Sequence, residues 1–359
     1  ETMSLLFGPL RGGLGISVII VGALLAASTG IVGATVVTMG LISLPTMIRR
    51  GYDPSVAAGA ICASGTLGQI IPPSIVLIIL ADTLSHAASN QGLLGSITIN
   101  DLFAAAIIPG LILVGAYITY IIYLALFKPE KTPAIPKHER AQISPLELTL
   151  RVFKVLLPPL FLILMVLGSI LIWAVNPTNA AALGALGAII LAMLSGQFSL
   201  PILRDVMQRT LLITSMIMMI LIGAAIFIMV FKAFGGDKII ESFFTNLPGN
   251  KYTVLLIIMF LLGFILDFIE ITVVVVPIIA PILIKMGISP TWLGILIALN
   301  LQTSFLTPPF GFSLFYLRGV APKSIKTRQI YQGVIPFIFI QILMLLTIAY
   351  VFRDSIWNH

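Results

Sequence analysis

Two stretches decide how this chain folds: ASGTLGQIIPPS at residues 63–74 and LNLQTSFLTPPFGFSLFYLRG at residues 299–319. Each lies in an apolar span, 54–80 and 291–317, and each carries adjacent prolines, Pro72-Pro73 and Pro308-Pro309. Neighbouring prolines remove two backbone donors and disfavour the α region before them, so each helix must break there. Backbone freed at membrane depth persists only where protein buries it or where it lines a wet cavity. The breaks are therefore the expected site.

The rest of the chain supplies the membrane. Of its 359 residues, 59% are hydrophobic and 9% charged, whereas soluble domains carry about 25% charged side chains. A soluble globule is excluded. The 20 Lys and Arg against 13 acids give a net charge of +7, but the basic residues sit in short bridges between apolar runs. That is membrane topology, not a polyanion-binding surface. The lone cysteine, Cys62, lies inside an apolar run, which excludes disulfides within the chain and thiolate metal clusters. The chain opens on Glu1 without an initiator Met, and its true start is expected upstream.

A membrane helix needs roughly 20 apolar residues. Residues 102–127, 155–175, 178–195, 210–231 and 331–352 each read as one crossing. Residues 12–48 and 252–284 are too long, and each has a helix-unfriendly patch: Ser28, Thr29, Gly30 and Gly33 in the first, Asp267 and Glu270 in the second. A continuous helix of that length would overshoot a hydrocarbon core of about 30 Å. Both are read as re-entrant hairpins with tips near the midplane. This layout puts 15 Lys and Arg inside and 5 outside, with the Lys- and Arg-free segment 81–101 outside, as the positive-inside bias requires. Making the Pro-Pro segments the hairpins instead gives 14 to 6. Charge does not choose between them; length does.

The two unusual regions match at a constant offset of 236 residues. Pro72 and Pro73 fall on Pro308 and Pro309, Pro54 on Pro290, Gly51 on Gly287, Pro45 on Pro281 and Ile61 on Ile297. Apolar matches are cheap in this composition, but Pro and Gly matches in register are not. The topology changes sign between the copies. Inverted repeats with broken helices meeting at the midplane are the architecture of secondary transporters. The expected fold is an all-α polytopic membrane protein: an inverted repeat with two re-entrant helical hairpins and two broken transmembrane helices. Its expected divisions are a first transport repeat, 1–101 (hairpin 12–48, broken helix 54–80), and scaffold helices, 102–251, with a cytoplasmic connector at 128–154. A second transport repeat, 252–319 (hairpin 252–286, broken helix 291–317), and a C-terminal scaffold helix, 320–359, complete them.

Small polar groups crowd the tips and breaks: Ser28, Thr29, Ser64, Gly65, Thr66, Gly68 and Ser74 in one copy, and Asp267, Asn300, Gln302, Thr303, Ser304, Thr307 and Gly311 in the other. Hydroxyls, amides and unwound carbonyls are the oxygen ligands a hard monovalent cation such as Na+ takes. Half-helix N-termini offer N–H groups to an anion. Both partners of a symport fit one such site. The bland alternative is that Ser and Thr merely bond a carbonyl or glue helices; concentration at the breaks favours the ion reading for Ser64, Thr66, Thr303 and Ser304. Asp267 is stronger, because an intramembrane acid is expensive and functional by default. Glu270, three residues on, shares the tip or reaches water.

The string at 63–74, preceded by RRGYDP at 49–54, resembles the signature of the large membrane subunit of tripartite ATP-independent periplasmic (TRAP) transporters. The string at 299–319 resembles that subunit's second signature, and the resemblance extends over essentially the whole chain. It implies an elevator-type Na+-coupled importer of the bacterial inner membrane, with a transport domain of two hairpins and two broken helices sliding against a scaffold. It also implies a small membrane subunit of four helices and a periplasmic binding protein delivering a small organic substrate, commonly a carboxylate. Carried over, the first Na+ site falls on the Ser28 to Gly30 tip with Ser64, Gly65 and Thr66. The second falls on Asp267 with Thr303 to Thr307, and substrate lies between the tips. No cofactor is expected beyond the coupling ion. In the family, scaffold helices precede the first hairpin; here that hairpin starts almost at once.

Other classes fit less well. His86, His138 and His359 sit in loops or at the terminus, which argues against metal sites and His-based proton relays of a membrane enzyme. Asp267 lacks a second aspartate on a neighbouring span, against an aspartyl protease. A stand-alone Na+/divalent-anion symporter shares the hairpin and broken-helix plan and is the nearest rival. A channel is a poorer match, since paired broken helices suit alternating access.

Overall fold

The computed structural model describes residues 10–89, 92, 97–134, 145–172, 175–246 and 251–350. His138, the middle of the connector and His359 lie outside the described residues, as does most of the loop after Ser89.

The first hairpin is α1 (Gly13–Thr29) and α2 (Val32–Arg49). Its tip is two residues. Gly30 takes the left-handed conformation at φ 62°, returning its N–H to the Ala26 carbonyl, and Ile31 is extended. The broken span is α3 (Pro54–Thr66), one 3-10 turn (Leu67–Gln69), an irregular stretch through Pro72-Pro73 and α4 (Ile75–Ser89). The middle of the chain is α5 (Ile99–Phe127), α6 (Pro145–Leu171), α7 (Pro177–Leu194), α8 (Leu200–Ala233) and α9 (Gly236–Asn246). The second hairpin is α10 (Lys251–Leu262) and α11 (Phe268–Lys285), the latter with a π-helical stretch at Ile271–Val275. The second broken span is α12 (Pro290–Leu306) and α13 (Phe312–Val320), and α14 (Thr327–Tyr350) closes the order. No strand occurs among the described residues, and six helices are long and apolar enough to cross a membrane.

Local chemistry sets these boundaries. Pro54 and Pro290 stand at the first turn of α3 and α12, where a missing N–H costs nothing. Asp53 caps α3, its Oδ1 accepting from Ser55 N at 2.9 Å and Val56 N at 3.2 Å. Just upstream the chain turns through Gly51 at φ 78° and, 236 residues later, through Gly287 at φ 85°. The turns share their bonds: Gly51 N to Ile48 O and Tyr52 N to Met47 O in one, Gly287 N to Ile284 O and Ile288 N to Leu283 O in the other. The hairpin tips keep the same spacing, with Ile31 and Asp267 as the N-caps of α2 and α11. Both Pro-Pro bonds are cis.

The buried core lies among the hairpins, the broken spans, α5 and α14. The α3 and α14 backbones meet through Gly59 and Gly333: a Cβ on Gly59 would collide with the Gly333 carbonyl, and one on Gly333 with the Ser55 carbonyl. Tyr117 of α5 packs edge-on against Phe337 of α14, ring centroids 5.1 Å apart. By contrast, only 6% of the apolar windows of α7 and α8 are buried, so these helices form the periphery. Their outward apolar side chains, such as Leu211 and Met219, suit lipid or a partner helix. After α5, a short strap ties down the base of the first hairpin: Gly12 N–H donates to Thr132 O at 2.9 Å and Asp53 N–H to Lys131 O at 3.0 Å. Amphipathic α9, which the hydrophobic-span reading does not single out, is joined to the end of α11 by Lys285 Nζ and Glu241 Oε1 at 2.6 Å.

Candidate functional site

In each half the broken helix presses its polar segment against its own hairpin. In the first, Ser64 packs on Gly22 of α1, Gly65 on Val36 of α2 and Gly68 on Ala26 of α1, with no room for a side chain on Gly22 or Gly65. In the second, Ser304 packs on Gly263, just past α10, and Asn300 Nδ2 donates to the Leu256 carbonyl of α10 at 2.8 Å. Ser64, Thr66, Asn300, Thr303 and Ser304 are all fully buried.

Their hydrogen bonds show what these side chains can still do. Ser64 Oγ donates to Ile61 O, Thr303 Oγ1 to Leu299 O, Ser304 Oγ to Leu301 O and Thr307 Oγ1 to Thr303 O, at 2.7 to 3.1 Å. A hydroxyl that spends its proton on the preceding turn keeps its lone pairs. Each oxygen is therefore a ready acceptor or cation ligand, though the same back-bonds would satisfy a merely structural residue. Asn300 Oδ1 is buried without a partner. Thr66 differs. Its hydroxyl donates to Ala63 O at 2.9 Å and accepts from Gln302 Nε2 at 3.5 Å and Gln341 Nε2 at 3.3 Å, so both lone pairs are engaged.

The tips are more open. Ser28 is exposed, its hydroxyl bonded back to Leu25 O at 2.9 Å. Thr29 Oγ1 bonds Thr35 Oγ1 at 2.9 Å, pinning α1 to α2 across Gly30. Asp267 is half-buried and caps α11: its Oδ1 accepts from Phe268 N at 2.7 Å, while Glu270 Oε2 accepts from Asp267 N at 3.0 Å, closing a capping box. That gives Glu270 a structural role at the tip. No hydrogen bond among the described residues joins Ser28 or Thr29 to residues 64–66, or Asp267 to Thr303 or Ser304.

Three further residues lie outside the site expected from the sequence. The Tyr316 ring of α13 lies against Gly33, near the tip of the first hairpin. Gln341 and Tyr117 bring α14 and α5 to Thr66, with Gln341 Nε2 donating to Tyr117 Oη at 2.7 Å. Gln341 had a sequence signal, an amide in the middle of an apolar span. Tyr117 had none, and Tyr316 lies within the string at 299–319 without standing out in it.

Known proteins resemble this chain in sequence and fold. Residues 1–353 match the family described as the tripartite ATP-independent periplasmic transporter, DctM component. The C4-dicarboxylate TRAP transporter large permease protein DctM of Pseudomonas aeruginosa is 31% identical over 348 residues, covering 96% of this chain and 77% of that one. The protein of the same description from Rhodobacter capsulatus is 29% identical over 355 residues, covering 96% and 78%. Among solved structures, the YdaH transporter of Alcanivorax borkumensis superposes with a TM-score of 0.56 at 16% identity, covering 98% of this chain and 88% of that one. At that identity the likeness is one of fold.

Proposed function

Since the chain belongs to the DctM family of tripartite ATP-independent periplasmic transporters, a multi-pass inner-membrane permease and not an enzyme, we propose that it couples Na+ entry to uptake of a small organic carboxylate. The observation that carries this reading is the pairing of each break with its own hairpin. Two clusters of buried hydroxyl and amide oxygens lie where the main chain leaves the helix. One Na+ is held near the Ser28, Thr29 and Gly30 tip with Ser64 and Gly65. The other is held by Asp267 with Asn300, Thr303, Ser304 and Thr307. Thr66, its hydroxyl fully engaged, holds the first cluster in place. Substrate lies between the tips, over Tyr316 and Gly33. The carboxylate class is supported by the C4-dicarboxylate names of the two relatives and by the helix N-terminus at the first tip, which no side chain caps. Each net positive charge moving inward yields about 2.3 kcal/mol per 100 mV. Two Na+ with a monocarboxylate draw on that potential, whereas two Na+ with a dicarboxylate move no net charge and draw on the Na+ gradient alone.

The packing suggests which parts move. α5 meets the first hairpin where Ile121 lies on Gly15, and α14 meets broken helix α3 where Gly333 lies on Gly59. Both therefore travel with the transport repeats instead of belonging to the scaffold expected at 102–251 and 320–359, while α6 to α9 stay as the scaffold. The partners are a small membrane subunit of four helices, seated on the apolar periphery, and a periplasmic binding protein that delivers substrate.

The test is uptake into proteoliposomes holding both membrane subunits, with the cognate binding protein and an imposed Na+ gradient. Accumulation that requires both the gradient and the binding protein is expected. Uptake indifferent to Na+ would refute the coupling, and uptake indifferent to the binding protein would favour a stand-alone symporter.

A further inference from the structure

Thr66 and Gln302 occupy the same position in the two halves, 236 residues apart, and they touch: Gln302 Nε2 donates to Thr66 Oγ1. A residue in contact with its own equivalent lies where the two halves are related, between the two break segments. Around this pair α5 and α14 add Tyr117 and Gln341, and all four side chains are at most 1% exposed.

The hydrogen bonds of this cluster are one-sided. Gln341 Nε2 serves both Thr66 and Tyr117, Thr66 is saturated, and the Oε1 atoms of Gln302 and Gln341 are buried without a partner. An unmet buried acceptor is destabilising, and apolar side chains of similar shape would avoid that cost. A cluster kept in this form has a use other than stability.

Its position supplies one. Thr66 ends the helix that carries Ser64 and Gly65, while Gln302 sits between Asn300 and Thr303 on α12. We propose that the Thr66–Gln302 contact, braced by Gln341 and Tyr117, couples the two cation clusters, so that ordering one break around its ion orders the other. This rests on the Na+ reading above and adds to it that the two ions bind cooperatively through a named contact. Coupling of this kind needs a physical element shared by both sites. The directly bonded pair at the junction of the halves is that element.

The experiment is the Na+ dependence of initial uptake in the reconstituted complex, read as its Hill slope. Wild type is expected to be steep. Gln302→Leu and, independently, Gln341→Leu are expected to flatten the slope toward unity and raise the half-saturating Na+ severalfold, with the melting temperature unchanged or higher. Exchanging the pair, Thr66→Gln with Gln302→Thr, rebuilds an amide-to-hydroxyl contact across the junction and restores the slope. A slope unchanged in both leucine variants would overturn the proposal while leaving Na+ coupling intact, as would a slope lost only together with thermal stability. Wild-type uptake that ignores Na+ would instead refute the underlying reading.

Discussion

Asp267 combines a structural and a proposed chemical role in one carboxylate, and the two are separable. As the N-cap of α11 it holds Phe268 N with one oxygen, and loss of such a cap costs about 1 kcal/mol. Asparagine caps as well as aspartate but carries no charge. Asp267→Asn is therefore expected to melt like wild type and to lose Na+-driven accumulation, whereas Asp267→Ala loses both cap and accumulation. Normal accumulation by the asparagine variant would remove the acid from the site. Ser64→Ala and Ser304→Ala remove an oxygen from clusters where a glycine already lies against the side chain. Each is expected to raise the half-saturating Na+ concentration severalfold with little change in maximal rate, and an unchanged Na+ titration would count against the corresponding cluster. The candidate residues themselves were legible, because hydroxyls, amides and one acid are conspicuous in apolar sequence. Which hydroxyls keep free lone pairs was not. Thr66 and Thr303 look alike in the sequence, and only the approach of Gln302 and Gln341 from other helices distinguishes them.

At the scale of elements, proline and glycine carried most of the information. Pro54 and Pro290 stand at helix starts, since a missing N–H and a fixed φ act locally, while the two Pro-Pro pairs fall inside breaks that open earlier, after Thr66 and Leu306. Close approach of helices is not local. Gly59 and Gly333 are ordinary small residues in sequence, yet they let α3 and α14 touch backbone to backbone. Gly59→Leu is expected to prevent that packing and to lower the melting temperature of the complex sharply. Gly223→Leu, on α8 with open space around it, is expected to leave the melting temperature unchanged. Equal tolerance of both changes would contradict the core drawn here. Amphipathic α9 escaped the sequence reading because a span search looks for uninterrupted apolar runs, and α9 mixes Asp237, Lys238 and Glu241 with its apolar residues.

For the whole molecule, the division into a packed interior and a barely buried periphery of α7 and α8 fits the proposed motion of one against the other. The Lys285–Glu241 pair joins the second hairpin, proposed to move, to α9. In a Cys62→Ala background, bridging Glu241→Cys and Lys285→Cys with a bifunctional methanethiosulfonate reagent that spans the gap is expected to stop uptake, and reduction to restore it. Full-speed uptake by the cross-linked protein would mean that α9 moves with α11. The central claim, that the paired breaks bind the coupling cations, is tested most directly by radioactive Na+ binding to the purified complex. Wild type is expected to bind saturably, and the combined Ser64→Ala, Ser304→Ala, Asp267→Asn variant to bind none while remaining folded. Equal binding by the two would contradict it.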